Sequence, residues 1–154
     1  AGGQIDAGVK VSTFVLKLTE AKKAHLLAWV GDETPWQNTL IFVATKTADD
    51  RKPMVDAFLR AYKKGAHDYH DAFTTADGKR KDGPTAPAIL AIMSRHLNQS
   101  AEQLDQAISY DDPDAKLDVK DVMHQLVWFK EQGMLPADAD GEKMIDRRYV
   151  VPLN

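Results

Sequence analysis

Two clusters of polar side chains in this 154-residue chain have the types and spacing to grip a small solute. Lys10, Ser12 and Thr13 follow the short stretch Ile5-Asp6-Ala7-Gly8-Val9 and stand where a helix should begin. Open backbone amides at a helix start, joined by a hydroxyl and an ammonium, suit a sulfonate, carboxylate or phosphate. The plainer alternative is that Ser12 or Thr13 only caps the helix, a role whose loss costs about 1 kcal/mol, while Lys10 is solvated. The second cluster is Asp32, Glu33, Trp36 and Gln37. Trp36 beside Pro35 offers a wall for a flat or cationic ligand, worth on the order of 1 kcal/mol beyond burial. Asp32 and Glu33 would favour an amine or amidine over an anion. Alternatively, Trp36 plugs a junction and the acids face water. Trp29 and Trp128 fall inside strand and helix patterns and read as core.

Covalent and metal chemistry find less support. His67 and His70 are three apart, which puts both on one helical face. Zinc needs a further ligand, and although Asp68 and Asp71 are near, Lys63 and Lys64 mark an exposed helix end. His25, His96 and His124 are scattered. No nucleophile elbow, phosphate loop, paired-histidine metalloprotease motif or dinucleotide glycine pattern occurs. The chain has no cysteine, which removes disulfide, thiolate and zinc-thiolate chemistry. No catalytic residue, metal ligand or cofactor is assigned.

The elements that must position these residues centre on Gly31 to Thr47. There the polar loop runs into Leu40-Ile41-Phe42-Val43-Ala44, a run of β-formers expected as a strand buried on both faces. Ile5 to Val9 and His25 to Val30 are the other expected strands, with Gly31-Asp32 stopping the second. Between them Val11, Phe14, Val15 and Leu18 take helical spacing, with Lys22-Lys23 at the favourable C-terminal end. Only helices follow. Asp49 or Asp50 should cap a long helix with Pro53 in its first turn. Its stripe of Met54, Val55, Phe58, Ala61, Tyr62, Ala66 and Tyr69 would pack on the sheet, and it would end near Phe73. Thr85 should cap a helix with Pro87 in its first turn, and Ser100 to Gln103 fits a capping box. Asp118 should open a helix closed by Gly133, and Asp140 a short one over Met144 and Ile145 before an extended tail from Tyr149.

A chain of this length with 44% hydrophobic content suffices for one domain burying roughly 70% of its unfolded surface. The net charge of -3 argues against nucleic-acid partners, since phosphate contacts need clustered Lys and Arg. The one basic run, Lys79-Arg80-Lys81, sits among Asp77, Gly78, Asp82 and Gly83 and reads as a solvated loop. No apolar run approaches the ~18 residues of a membrane span. The opening residues carry no signal-peptide pattern. Three strands followed by five helices make an unbalanced α/β core, because parallel strands need neighbours and cover on both faces. The missing strands would come from preceding sequence or another chain.

Several segments resemble a known family. Gly3-Gln4-Ile5-Asp6-Ala7, Leu27-Ala28-Trp29-Val30-Gly31-Asp32 and Phe42-Val43-Ala44-Thr45-Lys46-Thr47 are similar to the periplasmic substrate-binding proteins of bacterial ABC importers. So are Val55-Asp56-Ala57-Phe58-Leu59-Arg60-Ala61-Tyr62 and Trp128-Phe129-Lys130-Glu131-Gln132-Gly133-Met134 with Met144-Ile145-Asp146. The branch is the one handling nitrate, sulfonates, taurine, bicarbonate and thiamine pyrimidine precursors, and the segments occur in its order. The resemblance implies the second half of a two-lobe α/β fold of the periplasmic type II class. Residues 1–36 would end lobe two and 37–154 would return into lobe one. It implies a periplasmic solute receptor, not an enzyme, that closes on a small polar organic solute or oxyanion and delivers it to an ABC transporter permease. The N-terminal half, or a complementary chain, would supply the rest of the pocket beside Lys10, Ser12, Thr13, Asp32, Trp36 and Gln37. The alternative is a biosynthetic or hydrolytic enzyme on the same fold. The thiamine-pyrimidine branch that makes its product relies on a cysteine-rich motif, which is absent here.

Overall fold

The computed structural model describes residues 3–34 and 36–153. Pro35, expected to back Trp36, lies outside the described residues. About half of the chain is helical. The helices are α1 (Ser12–Glu20), α2 (Val30–Glu33), α3 (Thr45–Asp50), α4 (Lys52–Phe73), α5 (Ala86–Leu97), α6 (Ala101–Asp105) and α7 (Val119–Glu131), followed by a 3-10 turn at Gly141–Met144. Among the described residues, no helix is long and apolar enough to cross a membrane.

The three expected strands do not pair. Ile5 to Val9, Ala24 to Trp29 and Trp36 to Ala44 carry neither helix nor ladder, and Val30 opens α2 instead of ending a strand. The only bridges among the described residues are isolated: Thr74 with Arg80, antiparallel, and Leu117 with Pro152, parallel. The helical part of an α/β reading is therefore present, and among the described residues no sheet forms. The physical reason is that β-formers specify a strand only when a neighbour answers their N–H and C=O groups.

Local signals were answered more faithfully. Helix α4 ends at Phe73 with Pro53 in its first turn, where the missing N–H costs nothing. Ser100 and Gln103 close the full capping box of α6. Asp118 accepts the Asp121 N–H at 2.9 Å at the start of α7, and Asp140 accepts the Glu142 N–H at 3.1 Å. Gly133 takes φ 67°, letting Met134 N–H reach Phe129 O and Gly133 N–H reach Lys130 O, both at 2.9 Å. Helix α1 ends in the same motif with Lys22 at φ 54° where glycine is usual.

Three cap assignments are corrected. The N-cap of α1 is Val11, and neither Ser12 nor Thr13 caps it. Asp49 and Asp50 lie within α3, where Asp50 pairs with Lys46 and Asp49 with Arg148. Thr85 holds the N-cap position of α5 without a side-chain bond, while Pro87 sits in the first turn as expected.

The chain divides into two compact units, interleaved in sequence. One comprises the residues up to Asp32 with Asp68–Tyr110; the other comprises Glu33–His67 with the residues from Asp111 onward. The resemblance implies a change of lobe near residue 36. In the first unit Ala72, Phe73, Ala86, Leu90 and Leu104 form the core, with Tyr69, Ile89, Met93 and Ile108 packed around it. Phe73 is fully buried and meets Tyr69 edge-on, ring centroids 5.0 Å apart. In the second unit Ala48, Val55, Ala66, Leu126 and Ile145 are buried. The buried line of α4 in this unit runs through Val55, Leu59, Tyr62 and Ala66. Met54, Phe58 and Ala61 stay exposed on the flank the expected sheet would have covered.

Candidate functional site

Gln37 makes four hydrogen bonds in the second unit. Its backbone N–H donates to Asp121 Oδ2 at 2.8 Å. Its carbonyl accepts from Gln125 Nε2 at 3.1 Å, and the same Nε2 donates to Asp121 Oδ2 at 2.7 Å. The Gln37 side chain is equally committed: Oε1 accepts the Asp118 N–H at 3.0 Å, and Nε2 donates to Thr39 O at 2.8 Å. Asp118, Asp121 and Gln125 lie one turn apart along the first half of α7, so one glutamine spans that helix's opening turns. The Gln37 side-chain amide thus joins the N-cap of α7 to the carbonyl of Thr39.

From this anchor the segment Trp36 to Ala44 runs extended. Trp36 is half exposed beside it. Leu40, Ile41, Phe42 and Val43 are all exposed, and their backbone groups make no hydrogen bond within the described structure. Neighbouring residues of the unit are pinned by charge. Arg148 bonds Asp49 at 2.8 Å and Asp146 at 2.6 Å. Tyr149 donates its hydroxyl to Ala48 O at 3.1 Å, and Lys52 lies 5.3 Å from the Tyr149 ring centroid. Hydrogen bonds from Arg148 hold the Asp146 carboxyl below the usual carboxylate range. Lys63 does the same for Asp114. Partial burial pushes the Tyr62 phenol up, with Asp111 adding to it.

The remaining expected ligand residues lie in the first unit. Ser12 donates its hydroxyl to Ala107 O at 3.3 Å, tying α1 to the residues after α6. Thr13 lines a small hollow of about 10 Å³ with Leu16, Lys17, Glu20, Gln99 and Gln103. Lys10 and Asp32 are exposed. Structure therefore places Trp36 and Gln37 side by side in one unit and Lys10, Ser12, Thr13 and Asp32 in the other.

A wider hollow of about 300 Å³ opens in the first unit between Asp68, Asp71, Thr85, Ala88 and Ile89. Nearby, His70 meets Tyr110 edge-on with centroids 5.9 Å apart, and its buried Nδ1 makes no hydrogen bond. Nδ1 lies 3.6 Å from Asp71 Oδ1, an ion-pair distance when the imidazole is protonated. Among the described residues, no three histidine or carboxylate side chains converge as a metal site would require.

Arg80 is a residue whose role sequence reasoning missed. It belongs to the basic run read as a solvated loop, yet its guanidinium bonds Asp82 and Asp105 and lies 5.1 Å from the Phe73 ring centroid. Asp82 stands two residues away and belongs to the same mixed-charge run, but Asp105, 25 residues away in the chain, gave no local signal. No protein-family model, curated protein or solved structure matches this chain.

Proposed function

We propose that this chain is the solute-gripping second half of an extracytoplasmic receptor of the ABC-importer type, taking a small polar organic solute or oxyanion. The observation that carries the reading is the ordered set of resembling segments, from Gly3-Gln4-Ile5-Asp6-Ala7 to Trp128-Phe129-Lys130-Glu131-Gln132-Gly133-Met134. The unanswered backbone of Leu40 to Val43 supports it: a β-forming run with apolar residues on both faces belongs inside a larger sheet. In this reading hinge closure does the work. Contacts made from both lobes of the complete receptor favour the closed state, and a permease recognises that shape. Trp36 supplies a stacking wall for the solute, and Gln37 the fixed root of the Trp36 loop.

The test is a thermal-shift series on the longer protein that carries this chain, with nitrate, taurine, an alkyl sulfonate, bicarbonate and a pyrimidine as probes. Binding to the folded state at a hundred times Kd stabilises by about 2.7 kcal/mol and raises Tm accordingly. Trp36→Ala should weaken the effective solute while leaving the ligand-free Tm nearly unchanged. Calorimetry showing equal affinity for the Trp36→Ala protein would remove Trp36 from the pocket. Absence of any shift across the series would reject the receptor reading.

A further inference from the structure

We infer that the Asp140–Gly141 peptide is a site of spontaneous backbone modification, isomerising to isoaspartate through a succinimide, while the fold shields the chain's other two Asp-Gly pairs. The inference does not depend on the receptor reading.

The reaction is an intramolecular acyl substitution. The backbone nitrogen after the aspartate attacks the carboxyl carbon, and a five-membered ring closes. The nitrogen's proton and the carboxyl hydroxyl leave together as water. Water then opens the ring at either carbonyl. One opening restores aspartate; the other gives isoaspartate, whose main chain runs through the side-chain methylene. Nothing is oxidised, and water is the only co-reactant. Glycine favours the attack because it has no Cβ to shield the nitrogen and its φ is free. The chain contains three such pairs: Asp77-Gly78, Asp82-Gly83 and Asp140-Gly141.

The structure treats the three differently. Attack requires the glycine amide to turn toward the carboxyl carbon, and a hydrogen bond on that amide opposes the turn. Gly78 N–H is held by Thr75 O at 2.9 Å, and Gly83 N–H by Ala72 O at 2.7 Å. Gly141 opens a 3-10 turn, where the first amides lack intrahelical acceptors, and its N–H has no partner among the described residues. The carboxyls differ in the same sense. Hydrogen bonds from Thr75 and Lys79 hold the Asp77 carboxyl below the usual range, in the ionised form that resists attack. Asp82 is paired with Arg80. Asp140 instead reaches past Gly141 to accept the Glu142 N–H at 3.1 Å, which folds its carboxyl over the intervening peptide. Proximity of that kind is what ring closure needs. Its ion pair with Lys143 is loose, at 3.7 Å, and open to solvent.

Isomerisation at this position acts on α7. A Cβ at Gly141 would lie 2.7 Å from Met123 Sδ and 2.8 Å from Leu126 Cδ1, so the turn is closely seated on that helix. An inserted main-chain methylene lengthens the chain there, and the relocated carboxylate no longer caps the turn. Gly141–Met144 is then displaced from Leu126, a buried residue of the second unit. The product has the same mass and a lower Tm.

The experiment ages the 154-residue chain in neutral buffer and, in parallel, in concentrated urea, then maps tryptic peptides for isoaspartate. The three pairs fall in separate tryptic peptides. A protease that cleaves before aspartate but not before isoaspartate identifies the altered position. In urea the three pairs should react at similar rates. In buffer Asp140 should isomerise about fivefold or more faster than Asp77 or Asp82, since each of those must first break a backbone hydrogen bond. Aged wild type should lose Tm. Aged Asp140→Glu, which would need a six-membered ring, should form no isomer there and keep its Tm. Asp77 or Asp82 reacting as fast as Asp140 in buffer would overturn the inference. So would a preference for Asp140 that persists undiminished in urea, an Asp140 unchanged in buffer, or an equal loss of Tm in aged Asp140→Glu.

Discussion

The backbone N–H of Gln37 donates to Asp121 Oδ2 at 2.8 Å, across 84 residues of sequence. Through this bond the loop that carries Trp36 is fastened to the first turns of α7. The same carboxylate oxygen takes the Gln125 amide at 2.7 Å, so it serves two donors.

Asp121→Ala should therefore destabilise the second unit by about 1–3 kcal/mol, since a partly buried backbone N–H and the Gln125 amide both lose their acceptor. Gln125→Ala should cost less. The double variant should cost less than the sum of the two, because both remove parts of one network. Urea denaturation of the three proteins measures all of this.

Phe73→Ala should cost about 3–5 kcal/mol, as the ring is fully buried and its loss leaves a cavity in the core of the first unit. Arg80→Ala should cost about 1 kcal/mol, through lost contact with the Phe73 ring and two exposed ion pairs. Arg80→Lys should recover only part of that, because an ammonium cannot address both Asp82 and Asp105 with a planar fork. Thermal melts of the three variants rank them.

Two glycines with close neighbours separate backbone from side-chain crowding. A Cβ at Gly83 would lie 2.9 Å from Asp71 O and 3.3 Å from Ala72 O, both main-chain atoms at the end of α4. One at Gly141 would meet Met123 Sδ at 2.7 Å and Leu126 Cδ1 at 2.8 Å. Side chains re-rotate and a helix terminus does not. Gly83→Ala should thus be the more costly of the two, within the range of about 1–3 kcal/mol for overpacking. Equal losses in chemical denaturation would show that the α4 end yields as easily as a methionine.

The Asp146 carboxyl, held below its ordinary value of 3.8 by Arg148, sets an acid dependence of known sign. A depressed folded-state value means that the contribution to stability is complete above the ordinary value. It is lost as pH falls through the lowered folded value. The Tm advantage of wild type over Asp146→Asn should accordingly be present near neutrality and shrink as pH falls below the ordinary carboxylate value. It will be small, since both groups are exposed to solvent. A Tm difference that widened in acid would contradict the assignment.

What the sequence determined by itself is the helical half of this protein. Pro53, Pro87, Ser100 with Gln103, Asp118, Gly133 and Asp140 each act within a turn of their own position, through φ restriction or a short-range hydrogen bond. Signals of that kind are complete in a window of a few residues. What only the tertiary structure decided is everything needing a distant partner. Leu40 to Val43 has the composition of a strand and no neighbour to pair with, Gln37 spends its amide on α7, and Arg80 crosses 25 residues to Asp105. A β-former's preference and a polar side chain's valence are both properties of the residue, but which group satisfies them is settled by long-range packing, and no local pattern carries that information.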